Sequence, residues 1–150
     1  MDFFKQDCKN FISLLKEQED LLLKMRLQII EFLSGVSEKE INAGECRVYG
    51  VDNLELNSLF TVDSTGEYVH IPLEKDSLFQ QSIVLYQAFI VNEITSDILV
   101  GDNDFCSNLK NILIMPIGND ENNVIGIIAA KNKEGGFSEK DITAFNTKFL

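Results

Sequence analysis

The chain has 150 residues, 45% of them apolar and 25% charged, with a net charge of −11. That length and balance suit one domain with a substantial core, and no apolar run approaches the roughly 18 residues of a membrane span. Most of the excess acid follows residue 34, which argues against nucleic acid or a membrane surface as partner, because both are held through clustered Lys and Arg.

The spacing predicts a long first helix, from about Asp2 to Ser34, with Gly35 as its stop. Phe4, Cys8, Phe11, Leu15, Gln18, Leu22, Met25, Ile29 and Phe32 follow alternating steps of four and three, and all but Gln18 are apolar. That is a coiled-coil-like seam. From Leu21 onward the stripe widens to Leu23, Leu27, Ile30 and Leu33, so this helix needs two neighbours. At its full length it spans about 50 Å, more than a small domain is wide. Residues 1–36 are therefore expected to form a homodimer; the alternative is a helix folded back within the monomer or split near Gln18–Asp20.

Ser37-Glu38-Lys39-Glu40 is a capping-box signature for a short turn. Strands are expected at Glu45–Val51, Leu54–Val62 and Tyr68–Leu73, the second closing at the turn Asp63-Ser64-Thr65-Gly66. Ser77–Tyr86 reads as a helix through Leu78, Ile83 and Tyr86, broadened by Phe79 and Leu85. A fourth strand is expected at Ala88–Ile94. Thr95–Leu109 is polar and long for a connection inside a compact domain, the kind of loop that is functional or mobile.

Two strongly apolar runs, Ile112–Ile117 and Val124–Ala130, flank the polar turn Gly118–Asn123 and predict a β-hairpin. Pro116 has no N–H and belongs near a strand end or on a non-donating edge. Beyond the hairpin, Ser138 can cap a last helix, Asp141 can reach back, and Phe137 can pack on Ile142. Ile142, Phe145 and Phe149 form a stripe that could meet the first helix.

Met115-Pro116-Ile117, Val124-Ile125-Gly126-Ile127-Ile128, Asn132-Lys133, Phe137-Ser138 and the acidic start Glu139–Asp141 together resemble the C-terminal half of the GAF domain family. These are small sensory domains of phosphodiesterases, phytochromes and bacterial regulators, and fainter similarity reaches back to about Glu45. The resemblance implies an α+β, PAS-related fold: an antiparallel sheet of about six strands flanked by helices, with the long N-terminal helix and the C-terminal helix packed together. Residues 37–150 would be the sensory domain and residues 1–36 the dimerisation and signalling helix. In the cyclic-nucleotide phosphodiesterases the motif continues to Asp-Glu; here Ile142 follows Asp141. Lys133 and Asp141 are expected to form an ion pair between the last strand and the last helix. The glycines that often precede the family's middle helix are absent from Glu74-Lys75-Asp76-Ser77. Sensory domains of this kind often continue from the last helix into a kinase or cyclase; a stand-alone chain and a fragment both fit.

Candidate chemistry is sparse. His70, the single histidine, sits in a strand between Val69 and Ile71 and reads as a strand-face residue. Asp102-Asn103-Asp104 begins like a calcium loop, but Cys106 and Leu113 fall where ligands are needed; no metal is expected, and the identity of any cofactor is unknown. Cys8, Cys46 and Cys106 are odd in number and form no CxxC, which points to a reducing, cytoplasmic setting. One enzymatic branch of the family, which reduces free methionine sulfoxide, has a nucleophilic Cys in the long loop where Cys106 lies, but its Gly-Val-Cys-Gly turn is missing here.

Three functions follow from the resemblance. The leading expectation is a non-enzymatic sensory domain that binds an unknown small molecule between the sheet and the 95–109 loop and signals to an effector. The pocket residues assigned by family-like position are Phe79, Ile83, Ile90, Asn92, Phe105, Cys106 and Ile114. The second is a fold that has lost its ligand, filled its pocket with its own Phe and Leu side chains, and only dimerises. The third is the sulfoxide reductase acting through Cys106.

Overall fold

A computed structural model of the protein describes residues 43–52, 58–118 and 123–149. The elements run β1 (Glu45–Val51), β2 (Ser58–Val62), β3 (Tyr68–Pro72), α1 (Leu78–Leu85), β4 (Phe89–Val91), β5 (Ile112–Gly118), β6 (Val124–Lys131) and α2 (Glu139–Phe149). The six strands form one sheet in the order β3-β2-β1-β6-β5-β4, and every pairing is antiparallel. The expected helix over residues 1–36, its seam and the Ser37–Glu40 turn lie outside the described residues, as do the side chains of Phe145 and Phe149.

Strand alternation sorts the sheet into two faces. One face carries Cys46, Val48, Phe60, Leu113, Met115, Ile128 and Ala130, covered in part by Phe137 with Ile142 packed beside it. The other carries Tyr49, Leu59, Ile112, Ile114, Ile127 and Ala129, and is covered by Phe79 of α1 and by Val100 and Phe105 of the loop between β4 and β5. This second face is the loop face.

The hairpin forms where the apolar runs place it, with Leu113 opposite Ala130 and Pro116 opposite Ile127. Proline is tolerated because β4 pairs only with Ile112–Ile114, so at Pro116 the strand has β6 as its single partner. The expected strand over Ala88–Ile94 is shorter, ending at Val91. Asn92 leaves the sheet there because its amide bonds both the N–H and the carbonyl of Phe137, 2.8 and 2.9 Å away.

Asp141 carries the start of α2. Its carboxylate accepts the Ser138 N–H at 2.9 Å and pairs with Lys133 Nζ. The residues just before belong to a polar lattice joining the start of β5 to the end of β6: Asn111 exchanges two bonds with the Lys133 backbone, and Asn132, at φ 60°, reaches the backbone of Asn108 and Lys110. The Asn132-Lys133 dipeptide therefore holds the fold together at this corner.

Candidate functional site

The loop face presents an unusual row of side chains. Parity along β1 puts Arg47 and Tyr49 on it, while Cys46 and Val48 point the other way. Lys131, the last residue of β6, is on the same face. All three are at least nine-tenths buried, and burying charge is costly unless each charge is matched.

The match comes from residues 102–107 of the loop. Asp102 is buried and its carboxylate is saturated: Arg47 Nη1 donates at 2.9 Å and Tyr49 Oη at 2.7 Å to one oxygen, while the Asp104 and Phe105 amides donate at 3.1 and 3.3 Å to the other. Arg47 Nη2 also reaches Asp104 at 3.0 Å. Asp104 in turn accepts the Ser64 hydroxyl at 2.9 Å and the Ser64 amide at 3.1 Å, tying the β2–β3 turn to the loop. Lys131 Nζ donates to the carbonyls of Phe105 and Ser107 at 2.6 and 2.9 Å, with Glu45 3.5 Å away. The Phe105 ring lies between both cations, its centroid 5.2 Å from Arg47 Cζ and 5.1 Å from Lys131 Nζ, within range for cation–π attraction.

These contacts set the protonation states. Burial pulls the Arg47 pKa down, but Tyr49, Asp102 and Asp104 more than offset it, and the guanidinium is held as a cation. Burial, and then the Asp102 charge, pushes the Tyr49 phenol well above its usual value, so it acts as a neutral donor. The Ser64 hydroxyl and amide, with Arg47 adding less, hold the Asp104 carboxyl below the usual range. For Cys106, burial and the nearby Asp102 charge raise the thiol to about 11. Only a small fraction is thiolate near neutrality, unlike activated cysteines, whose values fall below the free-thiol value.

The same loop closes the start of α1. Ser77 caps the helix by accepting the Gln80 N–H at 3.1 Å. The Leu78 and Phe79 amides, which a helix start offers to an anion, instead donate to the Leu99 and Val100 carbonyls at 2.9 and 3.1 Å. Gly101, at φ +130°, packs so closely on Phe79 that an added Cβ would meet its ring at 2.9 Å. The Tyr49 and Phe79 rings lie 4.8 Å apart at 60° and complete the layer.

Of the pocket residues assigned from sequence, Phe79, Ile83, Phe105, Cys106 and Ile114 all lie on the loop face. Ile90 and Asn92 do not. Ile90 packs on the opposite apolar cluster, because β4 alternates and puts only its neighbour Val91 on the loop face. Asn92 is engaged by Phe137. The 95–109 connection, read from sequence as functional or mobile, buries Val100, Asp102 and Phe105 against the sheet. Sequence reasoning passed over Arg47, Tyr49 and Lys131. A signal was present: in ECRVYGV the charge at Arg47 shares parity with Tyr49 inside an otherwise apolar strand and needs an acid. The acids weighed above as a calcium loop are the ones that answer it.

The chain's sequence matches no protein-family model, and a search of curated proteins finds no match either. Solved structures do match. The GAF domain of a two-component sensor histidine kinase from Bacillus halodurans superposes with a TM-score of 0.60 at 16% identity, covering 81% of this chain and 87% of that one. The free methionine-R-sulfoxide reductase of Neisseria meningitidis, in complex with its substrate, gives 0.60 at 14%, covering 97% and 83%. The fRMsr of Staphylococcus aureus in its reduced form gives 0.54 at 16%, covering 99% and 91%. The chain thus has a GAF fold. The expectation that it is not an enzyme is corrected by these neighbours, because the fold is shared by a reductase as well as by sensor domains. No helix among the described residues is long and apolar enough to cross a membrane.

Proposed function

We propose that the protein is a GAF-type sensory domain that binds a small molecule between the loop face of the sheet and the cover made by α1 and residues 95–109. The observation that carries this is the buried Arg47–Tyr49–Lys131 row. A purely structural face is filled at least as stably by apolar side chains, since buried ion pairs seldom outperform them. Here the row is bridged by one short stretch of loop through polar bonds, an arrangement that can exchange one set of partners for another. Ligand binding would reorder residues 95–109 and change how the cover sits on the sheet.

In this reading the domain acts as a homodimer through residues 1–36 and passes its state to an effector. It works in the reducing cytoplasm, a setting supported by an odd number of cysteines with no CxxC pair among them. Native mass spectrometry of the protein purified without denaturation tests the binding claim. A bound mass of a few hundred daltons, released together with faster amide exchange across 95–109, is the expected result. A bare chain whose loop exchange is unchanged by cell-extract metabolites would refute it. Sedimentation analysis with and without residues 1–36 tests the dimer, and a monomeric full chain at high concentration would remove it.

Two other readings each have an observation behind them. Tyr49, Phe79 and Phe105 are at most 1% exposed, so the loop face is packed with the chain's own rings, as a ligand-free dimerisation module would be. The reductase reading draws on the shared fold and on Cys106 in the loop, against which stands a thiol raised to about 11. Turnover of free methionine sulfoxide that is lost in Cys106→Ser would establish it over the sensory reading.

A further inference from the structure

The segment that covers the polar row has a definite chemistry. It presents one carboxylate, Asp102, to Arg47 and Tyr49. Three residues on it presents one phenyl ring, Phe105, between Arg47 and Lys131. Building on the proposed binding function, we infer that this segment is a tethered occupant of a receptor for aromatic carboxylates, and that a free aromatic acid competes with it for Arg47, Tyr49 and Lys131.

Charge conservation decides the ligand class. If the loop lifts, Asp102 and Asp104 leave with it and Arg47 loses both of its acids. A neutral ligand leaves the guanidinium without a close buried counter-charge, and an uncompensated buried charge is among the most unfavourable features a protein can hold. A cationic ligand adds to the repulsion. A carboxylate restores the pair and offers an acceptor to the Tyr49 hydroxyl, which burial keeps neutral and donating. The slot left by Phe105, itself fully buried, has the size of one phenyl group and two cations along its walls, so a flat π face is favoured over an alkyl chain. Inorganic phosphate supplies the charge and lacks the ring.

The tether sets the affinity. While Asp102 is closed on Arg47 the receptor is occupied, and a competitor's apparent affinity falls by the fraction of molecules in which the loop is open. Asp102→Asn keeps the shape of the side chain and removes the charge that holds the loop down, leaving the receptor intact.

The test is titration of the full chain, wild type and Asp102→Asn, with 3-phenylpropionate, its neutral amide, acetate and inorganic phosphate, followed by backbone NMR shifts. Saturable shifts at Arg47, Tyr49 and Lys131 with phenylpropionate are expected, about tenfold or more tighter in Asp102→Asn, with the amide, acetate and phosphate all weaker. Tyr49→Phe, which removes the donor and keeps the ring, should weaken phenylpropionate and leave the fold intact. If Asp102→Asn fails to fold, Ser64→Ala frees one bond of Asp104 and should give a smaller gain in the same direction. Equal binding of acid and amide, equal affinity in wild type and both loop variants, or shifts confined to the opposite face would overturn the inference. A neutral compound that seats under the loop while the acids do not would overturn the ligand class and leave the proposed function standing. Failure of every compound to move the loop, together with a bare chain in native mass spectrometry, would overturn both.

Discussion

Asp102→Ala takes away the one carboxylate on which two sheet donors and two loop amides converge. Four hydrogen bonds go at once, and Arg47 is left buried with the half-exposed Asp104 as its remaining acid. Removing one member of a buried ion pair costs about 3–5 kcal/mol. The surviving Arg47–Asp104 contact at 3.0 Å places the loss near the lower end, about 3 kcal/mol. For a chain of this length that lowers Tm by about 6–12 °C. Calorimetry reads the total, and hydrogen exchange shows where it falls. The Cys106 N–H bonds the Asp102 carbonyl and the Leu109 N–H the Cys106 carbonyl, so the 103–109 amides should lose protection well before those of β5 and β6. A drop in Tm below 2 °C, or loop amides no faster than in the wild type, would refute the claim that Asp102 fastens the loop to the sheet.

Other substitutions follow from neighbouring geometry. Asp141→Ala removes the Lys133 pair and the acceptor of the Ser138 N–H; a loss of about 1.5–3 kcal/mol in urea titrations is expected, with α2 exchanging first. Gly126→Ala sets a Cβ 2.6 Å from the Tyr49 carbonyl oxygen, a backbone atom with little room to give, and should cost about 1–3 kcal/mol. Gly118→Ala meets the Tyr86 hydroxyl, the far end of a side chain that is 43% exposed and free to swing, and should cost less in the same assay. In a chain lacking Cys8 and Cys46, Cys106 should react with iodoacetamide at pH 8 about a hundredfold more slowly than an ordinary thiol, with the rate still rising near pH 11. Its folded value lies above its unfolded one, so this contribution to stability is in place below about pH 9 and is lost as pH climbs to 11. Tyr49 shifts in the same sense and adds to the alkaline loss. Denaturant midpoints that hold steady from pH 8 to 11 would contradict both.

The parts of the fold legible in the sequence were those written locally. Ile112–Ile117 and Val124–Ala130 announce a hairpin by composition, and Phe137, Ser138 and Asp141 announce a helix start by spacing, because each signal is complete within a few residues. The site was legible only in part. Phe79, Phe105 and Ile114 fall on the loop face, but the pairing that organises it joins Arg47 to Asp102, and nothing local ties a strand residue to an acid more than fifty positions on. Asn92 and Ile90 were misplaced for a related reason. A strand only three residues long gives alternation little to work with, and Asn92 is claimed by Phe137, far away in sequence.

The strand order has a consequence for biosynthesis. β1 has β6 as a neighbour, with Glu45 opposite Lys131, so the middle of the sheet is closed by its earliest and latest strands. A ribosome must deliver everything from β1 through Lys131 before that ladder can zip, and until then β1 and β5 each expose an unpaired border. Such long-range closure makes for slow folding. Nascent copies truncated before Val124 should depend on chaperones, whereas copies released beyond Lys131 carry every strand the sheet needs to close.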